Sequence, residues 1–503
     1  MMRSLAQLKA LVVPLLALCA QVSAKHDTMV NSQIRLAYVG DTAMRVSWST
    51  FDKVDRPVVF YGKTPSALVH AASSDESVTY NTSSVYANHV TIEGLEPDTV
   101  YYYSLPQHLI YDNEAHAQPP FSFRTSRSPG DMTPYSVAVV IDMGTMGHNG
   151  LTTSAGQGVN PNNILRPGEQ NTIQSLDAVK DDYEFIFYPG DFAYADDWLD
   201  EESEGFLPNT TIQEGYEVYQ SINNDFYDEM TKISTVKPWM VGAGNHEASC
   251  IPDGVETYNG ISYNASLICQ PGLTNFTGYR NHWRMPFDVS GGQGNFWYSF
   301  DNGMVHWIML DTETDLGDGF IGPDQTGGVE KDIAGPFGPY ANAQLDWLKK
   351  DLASVDRTIT PWIIVGGHRP WYLSYANQST TICWDCKDVF EPLFLEYAVD
   401  LYLSGHAHFY QRSAPLNNSV IDPRELDNPT SPWYITNGAA GHYDGLSEGT
   451  NPPAPYERFR LDERNATYGW SKLTFHNRTH LTHQFVASGN GSILDTATLY
   501  KEH

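Results

Sequence analysis

Cations are scarce in this chain. Its 503 residues carry 30 Lys and Arg against 60 Asp and Glu, a formal net charge of −30. That imbalance excludes a nucleic-acid or anionic-membrane binder, since either needs a cationic face. It also repels a phosphate-bearing substrate at long range, so any attraction must be local, as from bound metal ions. Cysteine is rarer still, at five residues, too few for a disulfide-dense scaffold. Long apolar runs are missing. Leu11 to Ala20 is too short to span a bilayer, and no other stretch is long enough. Internal repeats, low-complexity tracts and heptads are absent as well.

The short apolar run has a meaning of its own. Arg3 and Lys9 precede it and Val22-Ser23-Ala24 follows, which is the pattern of a cleavable secretory signal over residues 1–24. Its removal takes two cations and lowers the net charge from −30 to −32. Cys19 leaves with it, and Cys250, Cys269, Cys383 and Cys386 remain as an even set. The expected bridges are Cys250–Cys269 and Cys383–Cys386. A redox or zinc role for the C-x-x-C is disfavoured, because no second C-x-x-C exists and Trp384-Asp385 offers nothing to lower a thiol pKa. Nine N-x-S/T sequons, at Asn81, Asn209, Asn264, Asn275, Asn377, Asn417, Asn465, Asn477 and Asn490, fit an extracellular glycoprotein carrying N-glycans.

Residues 28–126 read as short alternating strands broken by turns, for example Met44 to Thr50 and His89 to Ile92. Trp48 on an early strand and Tyr101 after a late turn suggest a fibronectin type III-like β-sandwich. From residue 134 the period changes. Apolar strand runs at Ser136–Ile141, Phe185–Tyr188, Trp239–Val241, Val305–Leu310, Trp362–Val365 and Leu401–Leu403 alternate with helical stretches. Those stretches are Gln170–Lys180, Thr211–Ser234, Asn342–Val355 and Val389–Val399. This pattern predicts an α/β layered domain over 134–420. Residues 421–503 complete it with strands, including a hairpin of Lys472–His476 and Leu481–Val486 around Asn477.

Five blocks punctuate that domain: Asp142-Met143-Gly144, Gly190-Asp191-Phe192-Ala193-Tyr194, Gly244-Asn245-His246-Glu247, Val365-Gly366-Gly367-His368 and Gly405-His406-Ala407-His408. Each sets an oxygen or imidazole donor beside glycine at a strand end, the chemistry and placement of a loop-built metal site. Asp191 suits a carboxylate that bridges two cations. Asp142, Tyr194 and His408 fall to one side of it, and Asn245, His368 and His406 to the other. His406 and His408, two apart, can face different ions.

The order D-x-G, G-D-x-x-Y, G-N-H-E, V-x-x-H, G-H-x-H resembles the purple acid phosphatases, a branch of the metallophosphoesterases. The resemblance extends over nearly the whole mature chain, including His368-Arg369-Pro370-Trp371-Tyr372. Other metallophosphoesterases begin D-x-H; here Gly144 takes that place and Tyr194 supplies the compensating ligand. The resemblance implies one Fe(III) and one divalent ion (Zn, Fe or Mn) per subunit. It further implies an acid phosphatase that cleaves small phosphomonoesters with a metal-bound hydroxide. His246 is the candidate phosphate contact or proton donor, with Asp191 also in the catalytic set. Plant members carry two histidines shortly after the W-Y segment; those positions are Asn377 and Gln378 here, which can bind substrate but not act as acids. Glu247 reads as a supporting residue, and His442 as part of a glycine-rich turn. Alternatives are a phytase-like or phosphodiesterase specialist, or an inactive binding glycoprotein. The paired cysteines leave only a non-covalent homodimer open.

Overall fold

The computed structural model describes residues 30–106, 120–145, 165, 168–203, 211–247, 255–258, 261–269, 271–315, 342–374, 381–441, 445–447, 452–461 and 467–503. The expected signal segment, Cys250, Asn209, Asn377, Gln378, His442 and Asn465 lie outside these residues.

An all-β layer comes first. One sheet orders the strands Ser32–Tyr38, Met44–Thr50, Tyr86–Ile92 and Ser77–Val78; its partner orders His70–Ser73, Val58–Gly62, Val100–Ser104 and Phe121–Arg124. Trp48 is buried between them, and the Tyr101 hydroxyl accepts the Glu96 backbone N–H at 3.1 Å, the corner expected of such sandwiches. The Met44–Thr50 strand departs from a half-exposed alternation, because every residue in it is buried. Its polar face meets the α/β domain: Arg45 donates to the Met285 carbonyl at 3.0 Å and pairs with Asp288 at 3.1 Å.

Two further sheets form the α/β domain. The first runs Trp239–Gly242, Ile186–Pro189, Tyr135–Val139, Gly469–Asn477, His480–Ala487 and Ile493–Tyr500. The second runs Tyr298–Asn302, Val305–Met309, Trp362–Gly366, Leu401–Ser404, Trp433–Asn437, Tyr410–Ser413 and Glu457–Arg460. Aromatic rings join them face to face: Trp307 lies 5.1 Å from Phe187 and 5.6 Å from Phe475. The C-terminal hairpin is therefore part of the core of the α/β domain, and Ile493–Tyr500 adds an edge strand that the sequence reading did not resolve.

The Gly215–Ser234 helix buries Tyr219, Ile222, Phe226, Met230 and Ile233, a stripe at helical spacing. It lies against the sandwich as well, with the Ser234 hydroxyl donating to the Ile34 carbonyl. The expected Val389–Val399 helix spans Trp384–Glu396 instead. It starts early because the Cys383–Cys386 disulfide, with Cα atoms 5.2 Å apart, closes its first turn, and Cys383 Sγ accepts the Cys386 N–H. The bridge is buried, as a structural clip would be. Cys269 is disulfide-bonded too. The asparagines of the described sequons, Asn81, Asn264, Asn275, Asn417, Asn477 and Asn490, are all exposed.

Candidate metal centre

Parallel strands bring the five blocks together. Ile186–Pro189 pairs in parallel with both Trp239–Gly242 and Tyr135–Val139, while Trp362–Gly366 and Leu401–Ser404 pair in parallel in the other sheet. Their C-terminal ends carry Asp191, Asn245, Asp142, His368 and the His406/His408 pair, so three loops of one sheet face two loops of the other. This is where open α/β sheets gather ligands.

The turns are tight enough to strain the backbone. Asp142, Asp191, Tyr194 and His406 all have positive φ, at 60°, 56°, 53° and 65°. Glycine is required beside them for a specific reason. A Cβ on Gly244 would sit 2.2 Å from Asp191 Oδ1, and one on Gly405 would sit 2.1 Å from Asp142 Oδ2. Backbone thus closes on the carboxylates and fixes the ligands.

Seven side chains converge. The Tyr194 hydroxyl donates to Asp142 Oδ1 at 2.9 Å and lies 3.2 Å from Asp191 Oδ2 and 3.1 Å from His408 Nε2. On the other side Asn245 Oδ1 meets His368 Nε2 at 3.0 Å and His406 Nδ1 at 2.9 Å. His368 Nε2 is also 2.9 Å from Asp191 Oδ2. One oxygen of Asp191 therefore faces both groups. Asp191, His368 and His406 alone could hold a cation, their donor atoms lying within 4.8 Å of one another.

Charge in this cluster is poorly balanced by the chain itself. Burial pushes the Asp142 carboxyl up. Burial also opposes the Asp191 charge, but His368 and His246 outweigh it and hold that group well below the carboxylate range. Burial and the two carboxylates hold the Tyr194 phenol well above its usual range. Against burial, Asp191 and Asp142 push His368 up to about 9. Hard oxygens and imidazoles buried together, with Asp142 and Tyr194 holding protons that a cation would displace, are the donor set of a cation site, and the residues fit two ions.

Supporting groups fix the loops. Glu247 accepts the backbone N–H groups of Asp191, Phe192 and Gly244 at 2.9, 2.9 and 2.7 Å, tying two ligand loops together. His246 turns its Nδ1 to Asp196 Oδ2 at 2.7 Å, with its ring 4.3 Å from that of Tyr194. Arg369 is wholly buried, bound through Nε and Nη2 to Glu313, with Nη1 3.4 Å from His406 Nε2.

Residues 31–125 match the family described as "Purple acid Phosphatase, N-terminal domain". Residues 164–410 match "Calcineurin-like phosphoesterase", and 431–496 match "Iron/zinc purple acid phosphatase-like protein C". The chain is 40% identical to Acid phosphatase A of Cryphonectria parasitica, over 98% of this chain and 97% of that one. The chain belongs to the purple acid phosphatases. Among other relatives, an acid phosphatase of Aspergillus ficuum is 31% identical over 93% of this chain and 86% of its own. Purple acid phosphatase PPD1 from yellow lupin shares the fold, with a TM-score of 0.68 at 21% identity, covering 94% of this chain and 75% of that one.

A purple acid phosphatase carries a dinuclear metal centre and hydrolyses small phosphate esters, and the converging side chains supply candidate ligands for it. Asp142 precedes the matched phosphoesterase segment, yet it lies at the heart of the cluster. Sequence reasoning missed Asp196 and the Arg369–Glu313 pair. The first had a signal in Asp196-Asp197, which directly follows Tyr194-Ala195. The second had none, because Glu313 lies 56 positions from its partner.

Proposed function

We propose that this chain is a secreted acid phosphatase that cleaves phosphate monoesters at an Fe(III)–M(II) pair. Asp142, Tyr194 and His408 hold one ion, Asn245, His368 and His406 the other, and Asp191 both. The observation that carries this reading is Asp191 Oδ2, 3.2 Å from the Tyr194 hydroxyl and 2.9 Å from His368 Nε2. The phenol supports a trivalent ion on its side, since burial and two carboxylates hold its proton on and a strong Lewis acid is needed to displace it. Bound there, the two ions would supply an acidified water and an electrophilic grip on phosphate.

The chain's own residues do the rest. Asn245 is a neutral donor, which leaves the divalent side less charge-compensated and more attractive to a phosphate oxygen. His246 is oriented by Asp196, and the carboxylates around it hold it protonated against burial. It is thus suited to contact phosphate and to give the leaving oxygen its proton. Asn377 and Gln378 bind substrate by hydrogen bonds only; unchanged kcat and KM in Gln378→Ala on several monoesters would remove them from that role. Export rests on the signal pattern of residues 1–24 and on the exposed sequon asparagines.

Metal analysis and paired rates test the proposal. The secreted protein should contain two metal ions per chain, lose activity on chelation, and hydrolyse an aryl monoester faster than the diester of the same phenol. One ion per chain, or a preference for the diester, would replace it with a mononuclear site or a phosphodiesterase.

A further inference from the structure

A cavity of about 370 Å³ opens at the seam between the sandwich and the catalytic domain, away from the metal ligands. Val78 of the sandwich forms one wall. Arg280, Asn281, Arg284, Phe287 and Phe296 of the catalytic domain form the others. This volume and position are those of small-molecule sites, which favour domain interfaces.

Its charge runs against the rest of the chain. Arg284 is anchored by Glu76 at 2.5 Å and donates through Nη1 to the Trp283 carbonyl at 2.6 Å. Next to it, Arg45 is held by Asp288 at 3.1 Å. Arg280 is exposed and takes part in no ion pair among the described residues. Three guanidinium groups thus share two carboxylates. Burial lowers the Arg284 pKa, Glu76 opposes that shift, and the charges of Arg45 and Arg280 lower it again by less. Even so, this cluster persists in a chain of net charge −30, whose acidic residues outnumber its basic ones by 60 to 30.

We propose that this cavity binds an organic oxyanion, a phosphate or phosphonate group on an aromatic body. Its head sits on Arg280 and Arg284, and its ring lies against Phe287 and Val78. Arg280 suits the head because its fork can donate two parallel hydrogen bonds to an oxyanion, whereas Arg284, whose Nε and Nη1 are held by Glu76 and two backbone carbonyls, adds its charge. The phenyl walls suit the ring, which would otherwise face water. Because Val78 belongs to the sandwich and both arginines to the catalytic domain, the ligand bridges the two. This site is independent of the chemistry assigned to the metal centre.

Equilibrium titration of the metal-loaded protein with phenylphosphonate, which is not hydrolysed, tests the site. Two molecules should bind per chain, one competing with substrate and one not. Arg280→Glu and Val78→Asp, altered from opposite walls, should each weaken the non-competing site at least tenfold and leave kcat and KM unchanged. Orthophosphate, lacking the ring, should bind there more weakly than phenylphosphonate. A single site in the unaltered protein, or an unchanged second site in both variants, would overturn the proposal. Equal affinity for the two anions would overturn the role of the aromatic wall.

Discussion

The metal centre and the interdomain seam both bury charge, with opposite sign. At the centre Asp142, Asp191, Glu247 and the Tyr194 phenol crowd together, and imidazoles are the main cations near them. At the seam Arg35, Arg45 and Arg284 crowd together, and the histidines among them are neutral. Arg35 donates to the His282 carbonyl at 3.0 Å and lies 4.7 Å over the Tyr227 ring. Burial and the nearby arginines push His282 down to about 3, and the same causes push His89 well below its usual range. The first calls for cations from outside the chain. In the second, Arg35, Arg45 and Arg284 each have a carboxylate near them, Asp228, Asp288 and Glu76, and the neighbouring Arg280 takes part in no ion pair among the described residues. Arg369–Glu313 and His306 between two aspartates are closed on their own.

The largest effect should come from removing the shared carboxylate at the centre. Asp191→Ala should lose both ions and lower kcat by about 10⁴-fold or more, read by metal analysis and steady-state rates together. Retention of one ion at full occupancy would break the bridging role. Next comes a self-balanced pair. Arg369→Leu strands Glu313 in the core and should cost about 3–5 kcal/mol in denaturant unfolding. Most of that should return when Glu313→Leu is added; no recovery would mean that Arg369 acts on His406 and not on Glu313.

The seam should respond to acid. His282 has a folded pKa of about 3, below the ~6.5 of an unfolded histidine. The unfolded chain therefore takes up the proton first, and stability falls as pH drops from ~6.5 towards the folded value, by roughly 3–5 kcal/mol at most. His282→Phe should flatten that part of the curve of melting temperature against pH; an unaltered slope would move the acid sensitivity elsewhere. The smallest effect is expected at His306, 2.7 Å from Asp301 and 2.9 Å from Asp351, with its pKa raised to about 9. Its contribution is full below ~6.5 and is lost as pH rises through the folded value. Because Asp301 is part-exposed, the loss should be about 1–2 kcal/mol. His306→Gln should lower stability at pH 6 and leave it unchanged at pH 10; an equal loss at both would make the contact one of shape alone.

What could be read in the sequence follows from how local each signal is. Every proposed ligand stands beside the glycine or strand end that positions it, so the five blocks were visible one by one. Tyr101 and Trp48 announced the sandwich because a corner and a core tryptophan need only their own strands. The seam was invisible. Arg35, Arg45 and His89 sit on alternating strands that look half-exposed, and only the catalytic domain packed on their outer face makes them buried. The same holds for Ile493–Tyr500, an edge strand whose mixed exposure leaves no clean period. The early start of the Trp384–Glu396 helix was missed although the Cys383–Cys386 bridge was expected, since Trp384 and Asp385 give little helical pattern of their own.

The most direct measurement is the visible absorption spectrum of the purified, metal-loaded protein at acidic pH, taken beside that of Tyr194→Phe. A broad purple band present in the first and absent in the second is the expected result, since only a tyrosinate on Fe(III) would give it. A colourless protein that still holds two ions and still hydrolyses monoesters would contradict the iron assignment.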